Sequence, residues 1–278
     1  MSQDKDPFFI GWSAKTPQSY TQIVKPFLLL LVPFVLLVAL LMNLGRLPAE
    51  NAGATYEFGE LTTLEGVLVT TPVPMLQINQ KENGKDIFQH LILVDALKFG
   101  ASKTIEAMEK KAKTTLINKS IQLKGTLSYF EGKRILELTD GADSYVGLSK
   151  STPNTFVAKQ SLGNKKIRGE IIDSKCFFGV MKPGSGKTHK SCAVRCLSGG
   201  VPALFKSTDN NGDHDFYLLL GENGESINQD LLGYTADHIQ LEGNVFQMAD
   251  WKIIQTSPSS ICPLGPKWLF GDMQLCAE

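Results

Sequence analysis

The stretch IQLKGTLSYFEGKRILEL, residues 121–138, recurs in altered form as IQLEGNVFQMADWKIIQT, residues 239–256. Each copy reads as a strand, a tight turn (Glu131-Gly132-Lys133 in one, Ala249-Asp250-Trp251 in the other) and a second strand. The repeat extends upstream. LEGVLVTT (64–71) lines up with IRGEIIDS (167–174), each with a glycine where a strand can bulge or bend sharply. Between these matched ends, IFQHLILVDA (87–96) reads as strand and ASKTIEAMEKKAKTTL (101–116) as helix. In the second copy HDFYLLLG (214–221) reads as strand and SINQDLLGYTADH (226–238) as a short helix.

Three strands, a helix and two strands is the order of a five-stranded Greek-key barrel, the OB-fold. The sequence therefore predicts a mainly β protein with short helices and two OB-like five-stranded barrels in tandem, at 55–148 and 167–258. SKSTPNTFVAKQSLGNKK (149–166) has the polar composition of a linker, and 259–278 form a C-terminal tail. A single larger β-sandwich is the competing reading, and the matched strand pairs weigh against it.

Residues 26–45, PFLLLLVPFVLLVALLMNLG, carry no charge. Twenty residues at about 1.5 Å each span about 30 Å, the thickness of a bilayer's hydrocarbon core. A signal peptide starts with a short basic region, whereas residues 1–25 precede this run, and the A-x-A pattern Ala52-Gly53-Ala54 lies far from it. An uncleaved transmembrane helix is expected, with Pro33 tolerated inside it. Lys5, Lys15 and Lys25 precede the run; Arg46 follows, then Glu50, Glu57 and Glu60. That bias puts the N-terminus in the cytoplasm and the C-terminal domains outside, in a periplasm facing the inner membrane. Lys and Arg total 28, as do Asp and Glu, so the broad positive field of a nucleic-acid binder is missing.

Chemistry concentrates in the second copy. All five cysteines and three of the four histidines follow residue 170. The central segment is MKPGSGKTHKSCAVRC, 181–196. Gly186-Lys187-Thr188 imitates the end of a phosphate-binding loop, but Met181 stands where that motif needs its first glycine, which excludes nucleotide. His189, Cys192 and Cys196 fall at i, i+3 and i+7, on one face of a helix that Thr188 can cap and Gly199-Gly200 can end. Cys176 follows the strand GEII, with Asp173 three residues earlier. Cys176, His189, Cys192 and Cys196 make a Cys3His set suited to zinc or copper. Residues seven apart on a straight helix lie about 10 Å apart along its axis. A three-ligand site completed by Cys176 or Asp173 is therefore equally open.

Two other readings of the cysteines stand beside the metal site: redox-active thiols, or a disulfide plus a spare thiol. Cys262 and Cys276, flanking PLGPKWLFGDMQL, can staple the tail. Lys175, Lys182, Lys187, Lys190 and Arg195 crowd the motif, and cations favour thiolate. The same segment offers an anion nest: Gly184 and Gly186 amides with Lys187, Lys190 and Arg195 around them. A merely solvated charged face is the alternative. Asp213, His214 and Asp215 read as a polar hairpin turn. Tyr129, Phe130 and Trp251 read as packing residues rather than base-stacking platforms.

The string D-x-x-C-x-x-G-x-M-x-P-G-x-G-K-x-H-x-x-C-A-x-x-C-x-x-G-G-x-P, matched from Asp173 to Pro202, resembles the signature of a bacterial family of small membrane-anchored proteins with periplasmic OB-like domains. DPFFIGWSAKTP near the N-terminus is similar to the start of such chains, so the likeness extends over most of the length. It supports the site residues and implies no particular activity. Cys262 and Cys276 lie outside the pattern. The architecture also resembles membrane-anchored OB-folds that carry haem during cytochrome maturation. Their haem histidine lies in H-x-x-x-Y, whereas His214 and Tyr217 are one residue too close, which argues against haem. The expected function is a metal-binding accessory or assembly factor serving a membrane redox complex through a membrane-protein partner. A thiol–disulfide oxidoreductase, or a structural subunit docking through FFIGW and the first barrel, are the alternatives. On this reading the first barrel is a spacer or docking surface.

Overall fold

The computed structural model describes residues 15–45, 51–82, 85–149, 159–208, 214–265 and 276. The segment before residue 15, linker residues 150–158, Asp213 and tail residues 266–275 lie outside the described residues. The chain divides into two units, at Met1–Pro48 and Ala49–Glu278.

Among the described residues, the first unit holds one helix, α1 (Gln18–Leu44). It starts after Pro17, earlier than the apolar run alone suggested, because SYTQIVK contains nothing that breaks a helix. It continues through Pro26 and Pro33 and ends at Gly45. At 27 residues it is about 40 Å long and is apolar enough to cross a membrane.

The second unit is two closed five-strand barrels in tandem. The first comprises β1 (Thr55–Tyr56), β2 (Thr62–Val69), β3 (Met75–Glu82), β4 (Lys85–Asp95), α2 (Ser102–Ala112), β5 (Ser120–Phe130), β6 (Lys133–Leu138) and β7 (Tyr145–Leu148). Its ring runs β5-β2-β3-β4-β6 and closes through β5–β6; only β4 and β6 pair in parallel. The second comprises β8 (Gln160–Asp173), α3 (Lys190–Ser198), β9 (Ala203–Thr208), β10 (His214–Leu220), α4 (Asn228–Leu231), β11 (His238–Met248), β12 (Trp251–Gln255) and β13 (Cys262–Pro263). Its ring, β11-β8-β9-β10-β12, closes in the same way, with β10 and β12 as the parallel pair. One glycine per ring permits the closure. A Cβ at Gly125 would lie 2.3 Å from the Glu137 carbonyl oxygen, and one at Gly243 2.4 Å from that of Gln255.

Two boundaries differ from expectation. The linker was expected to reach residue 166, yet β8 begins at Gln160, and Gln160–Lys166 pair with the far end of β11. Apart from the half-buried Leu162 those residues are polar or glycine and exposed, so no apolar alternation marks them as strand. The helix expected over 226–238 is only Asn228–Leu231; Gly233 follows, and Ala236 adopts a φ of 60°.

Inward side chains fill each barrel separately: Leu68, Leu91, Leu93 and Leu136 in the first, Phe205, Tyr217, Leu219 and Ile254 in the second. A third cluster lies between them. Met75, Ile92, Val94 and Ile135 of the first barrel meet Ile172, Phe177, Phe178, Leu218, Trp251 and Ile253 of the second. The parallel pairs match Ile92 to Ile135 and Leu218 to Ile253, so both barrels present the same two strands to the interface. Burial on both faces explains why LILV (91–94) and FYLLL (216–220) are apolar without alternation. The β-hairpin tips lock the arrangement. Phe130 packs edge-on against Phe177 and Phe216, while Trp251 Nε1 donates to the His90 carbonyl at 2.7 Å. Phe130 and Trp251 are packing residues, as their sequence positions suggested, whereas Tyr129 is exposed.

Candidate metal centre

The motif segment 174–202 connects β8 to β9 and lies against the first barrel. After β8 the chain makes a wide helical turn, Cys176–Val180, which buries Phe177 and Phe178 in the shared core. A loop follows, and α3 returns past the start of that turn. Cys192 and Cys196, one helical turn apart, both face Cys176: its Sγ lies 3.8 Å from each of theirs. The three sulfurs lie within 4.8 Å of one another. An ion about 2.3 Å from each sulfur needs sulfur–sulfur separations of about 3.8–4.0 Å. The triad can hold a metal ion. Cys176 and Cys196 are buried, whereas Cys192 is half-buried.

His189 does not complete a compact Cys3His set. Its Nε2 lies 2.9 Å from Asp173 Oδ2, both side chains fully enclosed, and it forms a second triad with Asp173 and Cys176. The seven-residue spacing from His189 to Cys196 is thus divided between two overlapping groups that share Cys176. Asp173 has a further task, because its Oδ1 accepts the Cys176 amide at 2.8 Å. The expected Thr188 cap does not form; His189 is the N-cap residue, with no side-chain cap bond. At the other end Gly199 terminates α3, and a Cβ there would fall 1.9 Å from the Lys98 carbonyl oxygen.

That contact introduces residues the sequence left unmarked. Lys98, on the loop after β4, donates from Nζ to Cys192 Sγ at 2.7 Å. This bond is the main reason the Lys98 ammonium is held above its ordinary pKa. The Cys176 thiol is pushed well up, first by its hydrogen bond with Cys196, then by burial and by Asp173. A metal ion entering the triad must therefore displace the Cys176 proton. Lys175 is buried and reaches into the first barrel. Its Nζ lies 3.1 Å from Glu137 Oε1 and donates to the carbonyls of Asp95 (2.8 Å) and Leu97 (2.6 Å). Asn51, wholly buried, donates to the carbonyls of Phe177 and Met181, both at 2.8 Å. The first barrel is one wall of the site, not a spacer.

The anion nest is already filled by the protein. Gly186 donates its amide to Glu170 Oε1 at 2.5 Å and Gly184 to Asn51 Oδ1 at 3.2 Å. Lys187 and Lys190 both pair with Asp237, and Arg195 is exposed. The charge crowding seen in sequence is therefore dispersed: of the cations near the sulfurs, the one on a thiol is Lys98. Cys262 and Cys276 are joined as a disulfide. Continuous apolar runs at 91–94 and 216–220 held the signal that two barrels would bury each other. No local pattern marked Lys98, Glu137 or Asn51.

Compared with protein-family models, curated proteins and solved structures, the chain matches none.

Proposed function

We propose that this is a membrane-anchored, extracytoplasmic metal-binding protein that serves as an accessory or assembly factor for a membrane redox complex. The observation that carries this reading is the convergence of Cys176, Cys192 and Cys196, from two separate elements, on one point at the barrel interface. The Cys262–Cys276 disulfide adds to it. A structural disulfide suits an oxidising compartment, where two of three thiols at these distances join as a disulfide unless something holds them apart. A bound ion does so. Zinc and copper(I) both fit a thiolate set. The α1 helix supports anchoring, and the lysines before it support a cytoplasmic N-terminus with a periplasmic body. The likeness of residues 173–202 to a family of anchored bacterial proteins supports the same placement.

Elemental analysis with free-thiol counting on the full chain, extracted in detergent, tests the reading. One equivalent of zinc or copper is expected, lost in Cys176→Ser. Absence of metal, with only one thiol titrating, overturns it.

A further inference from the structure

The three sulfurs are not equivalent. Cys176 is 3.8 Å from both others, so it can bond to either with a sulfur displacement of about 1.8 Å to reach the 2.05 Å disulfide length. Cys192 alone of the three is half-buried rather than buried, and it alone carries a cation, Lys98 Nζ at 2.7 Å. Cys176 begins a wide helical turn, a geometry common at functional positions. The Cys176 amide is tied to Asp173, whose other oxygen holds His189, so its backbone is fixed while its side chain can rotate between two partners.

We propose that the triad performs thiol–disulfide exchange, with Cys192 as the entry thiol and Cys176 as the thiol that closes the bond, so that oxidation by a small organic disulfide expels the metal. The proposal rests on the metal reading above. In the first step the Cys192 sulfur attacks the oxidant R–S–S–R. A Cys192–S–R mixed disulfide forms and one RS⁻ departs, beside the Lys98 ammonium. In the second step the Cys176 sulfur, already a thiolate because the metal displaced its proton, leaves the metal, attacks Cys192 Sγ and expels the second RS⁻. Two protein thiols have been oxidised, one disulfide has been reduced to two thiols, and the metal ion leaves with its charge unchanged, having lost two of its three sulfur ligands. Attack by Cys196 on Cys176 Sγ can then move the bond inward and restore Cys192 as a thiol. Disulfide and metal exclude each other because both need Cys176.

The experiment loads the full chain in detergent with zinc, adds oxidised glutathione, follows zinc with a chromogenic chelator and maps disulfides by mass spectrometry. Zinc release is expected to keep pace with formation of a bond that contains Cys176, Cys262–Cys276 remaining intact. Cys192→Ser should slow exchange by at least about tenfold, since the remaining thiols are buried. Cys196→Ser should still form the Cys176–Cys192 bond. Zinc retained while the thiols stay inert to the oxidant sinks this inference and leaves the metal reading standing. A bond that forms in a chain never able to retain zinc or copper sinks the metal reading and the coupling together. A Cys192–Cys196 bond, or a Cys192→Ser chain that reacts at full rate, also overturns the proposal. Cys192→Ser removes a metal ligand as well as the entry thiol, so its exchange rate is compared with that of the zinc-free parent chain, and Cys192→Ala serves as the second check on folding.

Discussion

In the first barrel β2 and β3 are joined by residues 70–74; in the second the equivalent strands, β8 and β9, are joined by residues 174–202. The rings otherwise pair strand for strand, and each closes on a glycine at the same place. The chemistry-bearing residues entered at one connection. Lengthening a loop this much costs only about 1.5 kcal/mol of closure entropy. Burying Phe177 and Phe178 in the shared core returns about 1.5–3 kcal/mol each. The insertion is therefore affordable where a second barrel exists to receive it. The bare barrel is not idle: its Lys98 and Glu137, with Asn51 just ahead of β1, hold the insertion in place.

The strongest way to break that partnership is to remove what both barrels share. Trp251 is fully buried between them and its indole N–H is bonded to His90 of the other barrel. Trp251→Ala is expected to cost about 3–5 kcal/mol, measured by denaturant unfolding of the full chain in detergent. Loss of a single cooperative transition would show the barrels parting. Next comes the buried pair Lys175–Glu137, with side chains only 5% and 9% exposed. Lys175→Ala leaves an uncompensated carboxylate and should cost about 3–4 kcal/mol. A Lys175→Met/Glu137→Leu double variant should recover most of that, and failure to recover would mean the carbonyl bonds to Asp95 and Leu97 dominate. Cys262→Ser is expected to cost about 3 kcal/mol, the closure entropy of a loop of about fifteen residues. The sulfur triad should keep its metal affinity in that variant, since the staple closes on β11 and not on the motif loop.

Much of the fold was legible because it is repeated. Two hairpins and two glycine-bearing strands aligned across the chain, and a repeated pattern reports register and topology together. The site was less legible for a physical reason. Cys176, Cys192 and Cys196 belong to one stretch, so a local reading found them. His189, on the same stretch, was grouped with the sulfurs by helical spacing, but the structure turns it toward Asp173. Lys187 and Lys190 looked like partners of the thiols and instead meet Asp237, forty-seven or more residues away. The cation that does reach a thiol, Lys98, is contributed from 94 residues earlier. Inter-barrel contacts have no local spacing rule, and only the unbroken apolar runs hinted that these surfaces would meet.

The smallest expected effect is the one that separates the first barrel as wall from the first barrel as participant. Lys98→Met keeps most of the aliphatic stem and removes the charge beside Cys192. A charge-assisted bond to a metal-bound thiolate contributes about 1.5 kcal/mol, so affinity should fall about tenfold in competition with a chromogenic chelator, with little change in unfolding. Arg195→Ala removes a cation from the exposed side of α3 and should change neither quantity. If Lys98→Met instead binds the ion more tightly, the ammonium competes for Cys192 rather than supporting it, and the first barrel acts as a gate on the site. If both variants behave alike, proximity of positive charge is all that matters, and the 2.7 Å bond has no part in binding.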